Sequence, residues 1–123
     1  MQLSEKFRRG VAVALDVAAK KAMEREDVSD IIDVHFLEIV DQAEFETLWK
    51  SGFFAEVNAS TGSMIDDYEE AVIPAEMVPR VRQIAQAYAW KRAGGGTGLR
   101  FFKALVEACD IAESCTSPMY FIL

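Results

Sequence analysis

IIDVHFLEIVDQAE, residues 31–44, is the stretch on which the fold class turns. Read with a period of 3.6, Ile32, Phe36, Ile39 and Ala43 share one helical face. Read with a period of two, Val34, Phe36 and Val40 alternate among β-branched and aromatic neighbours, which suits a strand. The residues that follow break the tie. Asp41 with Glu44 three positions on has the form of a capping box, in which the two side chains satisfy N–H groups left over at a helix start. A helix that begins at Asp41 leaves the chain before it non-helical, so 33–40 is assigned to a strand and the chain to the α+β class.

Towards the N-terminus, Ser4 can cap a helix and Glu5 can complement its dipole. Phe7, Val11, Leu15, Ala18 and Ala22 then recur at helical spacing, with Arg8, Arg9, Asp16, Lys20 and Glu24 largely off the stripe. This predicts a helix from Ser4 to near Glu26. Towards the C-terminus, a helix carrying Phe45, Leu48 and Trp49 stops at Gly52. Residues 53–59 suit a short helical turn, and NASTGS (58–63) has the composition of a loop. Ala71 to Ile73 suits a short strand ended by Pro74. Met77, Val81, Ile84, Ala85 and Tyr88 line a helix from Ala75 to about Ala93, with Pro79 in its first turn, where a missing N–H is tolerated. Gly94 to Gly96 and Gly98 separate it from a helix over Leu99 to about Ser114, on which Phe102, Leu105, Val106, Cys109 and Ala112 share a face. MYFIL (119–123) reads as a closing strand. The expectation is one domain, 1–123, of about four helices packed on a small sheet of about three strands.

Composition narrows the function. With 51% hydrophobic residues and eight Phe, the chain has ample material for a core and is too apolar for intrinsic disorder. A net charge of −7 argues against a nucleic-acid binder, which needs a basic footprint to displace counterions. From Glu24 to Glu76 there are fifteen carboxylates against two cations, Arg25 and Lys50, a local charge of −13, whereas residues 1–23 and 77–123 each come to +3. Such a segment is either a solvated face or a surface that steers a cationic partner. Lys6, Arg8 and Arg9 before Val11–Leu15 resemble a signal peptide until Asp16, Lys20 and Lys21 interrupt it without a cleavage pattern. No run approaches the roughly 20 apolar residues that span a bilayer. A soluble, cytoplasmic protein is expected. Cys109 and Cys115 fit no metal or redox spacing. Six apart on one helix, they point in different directions, about 240° around the axis, so they are expected as free thiols in a reducing compartment.

Four features invite chemistry, and each has a plain structural counterpart. The GGGTG run (94–98) could cradle an anion, but it follows a helix and lacks the Lys-Ser/Thr pair of a phosphate loop, so a helix–helix turn is the simpler reading. Asp66, Asp67, Glu69 and Glu70 surround Tyr68. They could hold a metal, form a solvated charge run, or recognise a basic partner with Tyr68 as an aromatic anchor. His35 beside Asp33 could be an oriented base, yet no nucleophile can be placed near it. Trp49 and Trp90 suit packing, although Trp90 falls off the main stripe and is a candidate for exposure. No catalytic residue, metal site or cofactor emerges, and a non-enzymatic protein is expected.

Between residues 45 and 74 the residues Phe45, Leu48, Trp49, Gly52-Phe53, Asn58, Gly62, Ile65, Asp67-Tyr68-Glu69 and Ile73-Pro74 fall in one order, followed by two helices and MYFIL. Over about residues 31–123 this pattern of residue types resembles small immunity proteins encoded beside bacterial polymorphic toxins, including contact-dependent inhibition systems. The N-terminal segment lies outside the likeness. The resemblance implies an acidic cytosolic protein that blocks a cognate toxin by covering its active site or an adjacent surface. Stoichiometric neutralisation of the toxin domain is the function expected, and the acidic segment adds the expectation that this domain is basic. It carries over no catalytic residue. On this reading Asp66, Asp67, Tyr68, Glu69 and Glu70 are the expected partner-binding residues. The alternatives are a small helical adaptor or assembly protein without a toxin partner, and a metal-dependent enzyme using the 66–70 carboxylates.

Overall fold

The computed structural model describes residues 9–24, 33–66, 70–91 and 98–123. Four strands, β1 (Gly10–Ala14), β2 (Val34–Glu38), β3 (Glu70–Ile73) and β4 (Met119–Ile122), form one antiparallel sheet in the order β2-β1-β4-β3. The helices are α1 (Val17–Glu24), α2 (Gln42–Lys50), α3 (Phe53–Thr61), α4 (Val78–Lys91), which follows a 3₁₀ turn at Ala75–Met77, and α5 (Leu99–Cys115). The α+β class is as read from residues 31–44. The described residues hold one strand and one helix more than expected.

The extra strand is β1, where the sequence reading fails. Residues 10–14 lie at the centre of the sheet, not in a helix running from Ser4, and helix appears only from Val17. GVAVA is buried at every position. A strand covered on both faces shows no polar alternation, and a short apolar run then fits either periodicity. Asp16, taken as a polar-face residue, instead caps α1: its carboxylate accepts from the Ala19 N–H at 2.7 Å. Ser4, Phe7 and Glu26 lie outside the described residues.

Two layers cover the sheet. On one face, Val11, Val13, Leu37, Ala71, Ile73, Met119 and Phe121 meet the apolar sides of α2, α3, α4 and α5 in one continuous core. Phe53 sits at its aromatic centre, with ring centroids of Tyr88 at 5.3 Å and Phe102 at 5.1 Å. On the other face, Ala12 and Ala14 of β1 with Tyr120 and Ile122 of β4 lie under Ala19 and Met23 of α1, beside Val34 and Phe36 of β2. Small side chains on β1 let the short helix approach closely. Lys20 ties α1 to the end of α5 by donating to the Cys115 carbonyl at 2.6 Å, a cation at the negative end of a helix.

The capping box forms with a shift of one residue. Asp41 accepts from the Glu44 N–H at 2.9 Å, while Glu44 reaches back to the Val40 N–H at 3.0 Å, beyond the cap residue's own. Arg100 of α5 also pairs with Glu44 and donates to the Glu38 carbonyl, so one carboxylate of the acidic segment is neutralised within the fold. A second correction concerns NASTGS. Asn58 to Thr61 form the last turns of α3, and the chain leaves the helix only at Gly62, in the left-handed region at φ 74°. Polar residues there mark a helix end whose side chains turn back onto the chain. The α5–β4 turn carries Ser117, a fully buried polar residue whose hydroxyl donates to the Ala14 carbonyl at 2.7 Å.

Candidate interaction site

The site is built from the end of α3. Past Gly62 the chain would be free to fan out, but the Asn58 side chain holds it. Its carbonyl oxygen accepts from the Ile65 N–H at 2.8 Å and the Ser63 hydroxyl at 3.0 Å, and its amide donates to the Ile65 carbonyl at 3.0 Å. Ile65 is thereby directed into the core and Met64, beside it, outward, where it is 83% exposed. Asn58→Ala leaves both backbone groups of Ile65 without these partners. It is expected to cost roughly 1–3 kcal/mol, read as a lowered midpoint in urea unfolding, with Asn58→Asp retaining only the contacts made by the oxygen.

Across from this loop, β3 alternates: Ala71 and Ile73 enter the core while Val72 points out, 49% exposed. Among the described residues, the cluster under α1 takes in β1, β4 and β2 but no residue of β3. Among the described strands β3 lies at the edge of the sheet and pairs with β4 alone. Loop and strand enclose an open concavity of about 530 Å³ lined by Asn58, Ser63 to Asp66 and Glu70 to Val72. Of the five residues singled out from the sequence, Asp66 (exposed) and Glu70 (half-buried) come together here. Asp67, Tyr68 and Glu69 lie outside the described residues. Met64 and Val72 are what the sequence reading missed. The alternation of 70–73 could have flagged Val72, but nothing local showed that this outward position would stay exposed.

The remaining candidates resolve differently. His35 lies half-buried on β2, opposite Val13 of β1, and Asp33 is exposed. Among the described residues no three His, Cys, Asp or Glu side chains are placed to share a metal ion. Both cysteines are on α5 as free thiols. Burial pushes the Cys109 thiol up to about 12, with Glu113 and Asp110 adding to the shift, so it stays protonated at neutral pH and is no nucleophile. Gly98 sits at φ 94° before α5, and a Cβ there would meet the Phe102 ring at 3.2 Å, a packing reason for this glycine; Gly94 to Thr97 lie outside the described residues. Trp49 is 41% exposed and stacks between Phe45 and Phe54, with centroids at 6.0 and 5.7 Å. Trp90, by contrast, is 81% exposed at the end of α4. None of the described helices is long and apolar enough to cross a membrane.

Comparison of the chain with protein-family models, with curated proteins and with solved structures finds no match.

Proposed function

We propose that this chain is an immunity-type protein that binds and neutralises a cognate bacterial toxin domain by forming a stoichiometric complex in the cytoplasm, without catalysis. The supporting observation is the concavity beside β3. Exposed Met64 and Val72 sit there among Asp66 and Glu70, an apolar centre with a charged surround, which is how protein interfaces are built. Its charge matches a basic partner. Among the described residues of 33–76, Lys50 faces nine carboxylates. A field of one sign accelerates encounter with an oppositely charged domain, while close apolar contacts set the lifetime of the complex.

The test is binding kinetics with the toxin domain encoded next to this protein's gene, together with protection of cells that express it. Reversing Asp66, Asp67 and Glu69 to Lys should slow association at least tenfold and flatten its dependence on salt, because exposed charges act over about one Debye length. Glu70 is left intact in that variant, since its half-buried position would mix folding with binding. Met64→Ser should act mainly on dissociation. Met64 is 83% exposed, so Met64→Ser should melt like the parent. The melting of the charge-reversed variant is measured beside its binding, so that a loss of fold is told from a loss of association. Unchanged association together with full protection would remove the acidic concavity from the interface.

A further inference from the structure

We propose that the groove between α4 and α5 is a self-association site, in which Trp90 of one copy is received by the same groove of a second copy about a two-fold axis. The groove has a volume of about 470 Å³ and is lined by Gln86, Ala89, Trp90, Lys103, Val106 and Glu107. Ala89 and Val106, both half-buried, form its apolar floor. Trp90 stands at its end, 81% exposed. Further along the same two helices, Arg82 bridges to Glu113 at 2.7 Å and to Asp110 at 3.6 Å, which bounds the open length on that side. A tryptophan buries about 150–250 Å² when it is received by a pocket. Leaving it in water beside an apolar groove is the arrangement of an interface without its partner.

Charge selects the occupant. Residues 77–123, which carry α4 and α5, come to +3, against −13 over residues 24–76. Within the groove there is one lysine and one glutamate, so its lining has no net charge. A two-fold contact sets a patch against itself, so a patch of one sign would repel its copy. Lys103 and Glu107 lie four residues apart on α5, about one turn, on the same face. When two α5 helices meet antiparallel, each Lys103 falls opposite the partner copy's glutamate, and each glutamate opposite the partner's lysine. A chain of net charge −7 thus has here a face on which two copies attract. Two inserted indoles bury about 300–500 Å² between them, which is below the standard interface size, so the dimer is weak and concentration-dependent.

The experiment is sedimentation equilibrium of the intact protein over a wide concentration range, with tryptophan emission followed in a Trp49→Phe background. A reversible monomer–dimer equilibrium is expected, accompanied by a blue shift of Trp90 emission as concentration rises. Trp90→Ser should weaken the dimer at least tenfold and leave the circular dichroism unchanged. Lys103→Glu and Glu107→Lys should each weaken it, and the two together should restore it, because the exchanged pair is again self-complementary. A monomer at every concentration overturns the proposal, as does a dimer insensitive to Trp90→Ser and to the charge exchange. So does loss of binding to a different protein on Trp90→Ser without any self-association of the parent.

Discussion

A chain lacking residues 119–123 is expected to show no cooperative unfolding transition. β4 lies between β1 and β3, pairing with both, so its removal breaks the sheet in two. Every residue from Met119 to Leu123 is buried, on both faces of the sheet. Phe121 packs edge-on to Phe54 at 6.3 Å under the helices, and Tyr120 and Ile122 lie under α1. Burial of each large apolar side chain stabilises by roughly 1.5–3 kcal/mol, and five of them together compare with the roughly 5–15 kcal/mol that holds a whole domain. Loss of the strand leaves β3 with no described strand to pair with. Urea denaturation followed by far-UV circular dichroism is the measurement: a broad, featureless decline is expected. A sigmoidal transition close to that of the full chain would show that the sheet order is wrong.

Gly10→Ala is expected to be the most damaging single methyl in the described structure. A Cβ at this position would lie 2.2 Å from the Leu37 carbonyl oxygen and 2.7 Å from the tip of the Phe36 ring. The ring can turn away, but the carbonyl belongs to the neighbouring strand. Gly10 is paired on both sides, with Glu38 of β2 and Ile122 of β4, so the backbone has no direction in which to retreat. Overpacking a core typically costs about 1–3 kcal/mol, and contact with fixed backbone belongs at or above the top of that range. For a domain of this size that is a fall in melting temperature on the order of 10 °C. Phe36→Ala, which removes only the ring contact, should not rescue the variant. Rescue would mean that the strands can part at β1 and that the glycine answers to the ring alone.

These two expectations bear on what the sequence disclosed. Residues 33–44 were legible because a cap is a local device: Asp41 and Glu44 act within one turn, and no tertiary contact is needed to recognise them. The same holds for α4, α5 and β4, whose apolar spacing is regular. β1 was not legible, since its burial depends on β4, more than a hundred residues away in sequence, and on a helix that begins only at Val17. Gly10 and the paired valines 11 and 13 were the available signals, and the coincidental four-residue spacing of Val11 and Leu15 outweighed them. The interaction site was half legible. The charge of the candidate site could be counted, bringing Asp66 and Glu70 into view, but the exposure of Met64 and Val72 is a property of the assembled layers that no local pattern carries.

The pairing of β1 with β4 also governs how the molecule comes into being. Gly10 and Ile122 are register partners, among the first and last described residues of the chain. During synthesis β1, apolar on both faces, emerges more than a hundred residues ahead of β4, its second neighbour. Contacts of such sequence separation slow folding, and an unpaired strand edge exposed in the interval is prone to aggregation. The sheet therefore cannot be completed until Ile122 has left the ribosome and come to lie beside Gly10.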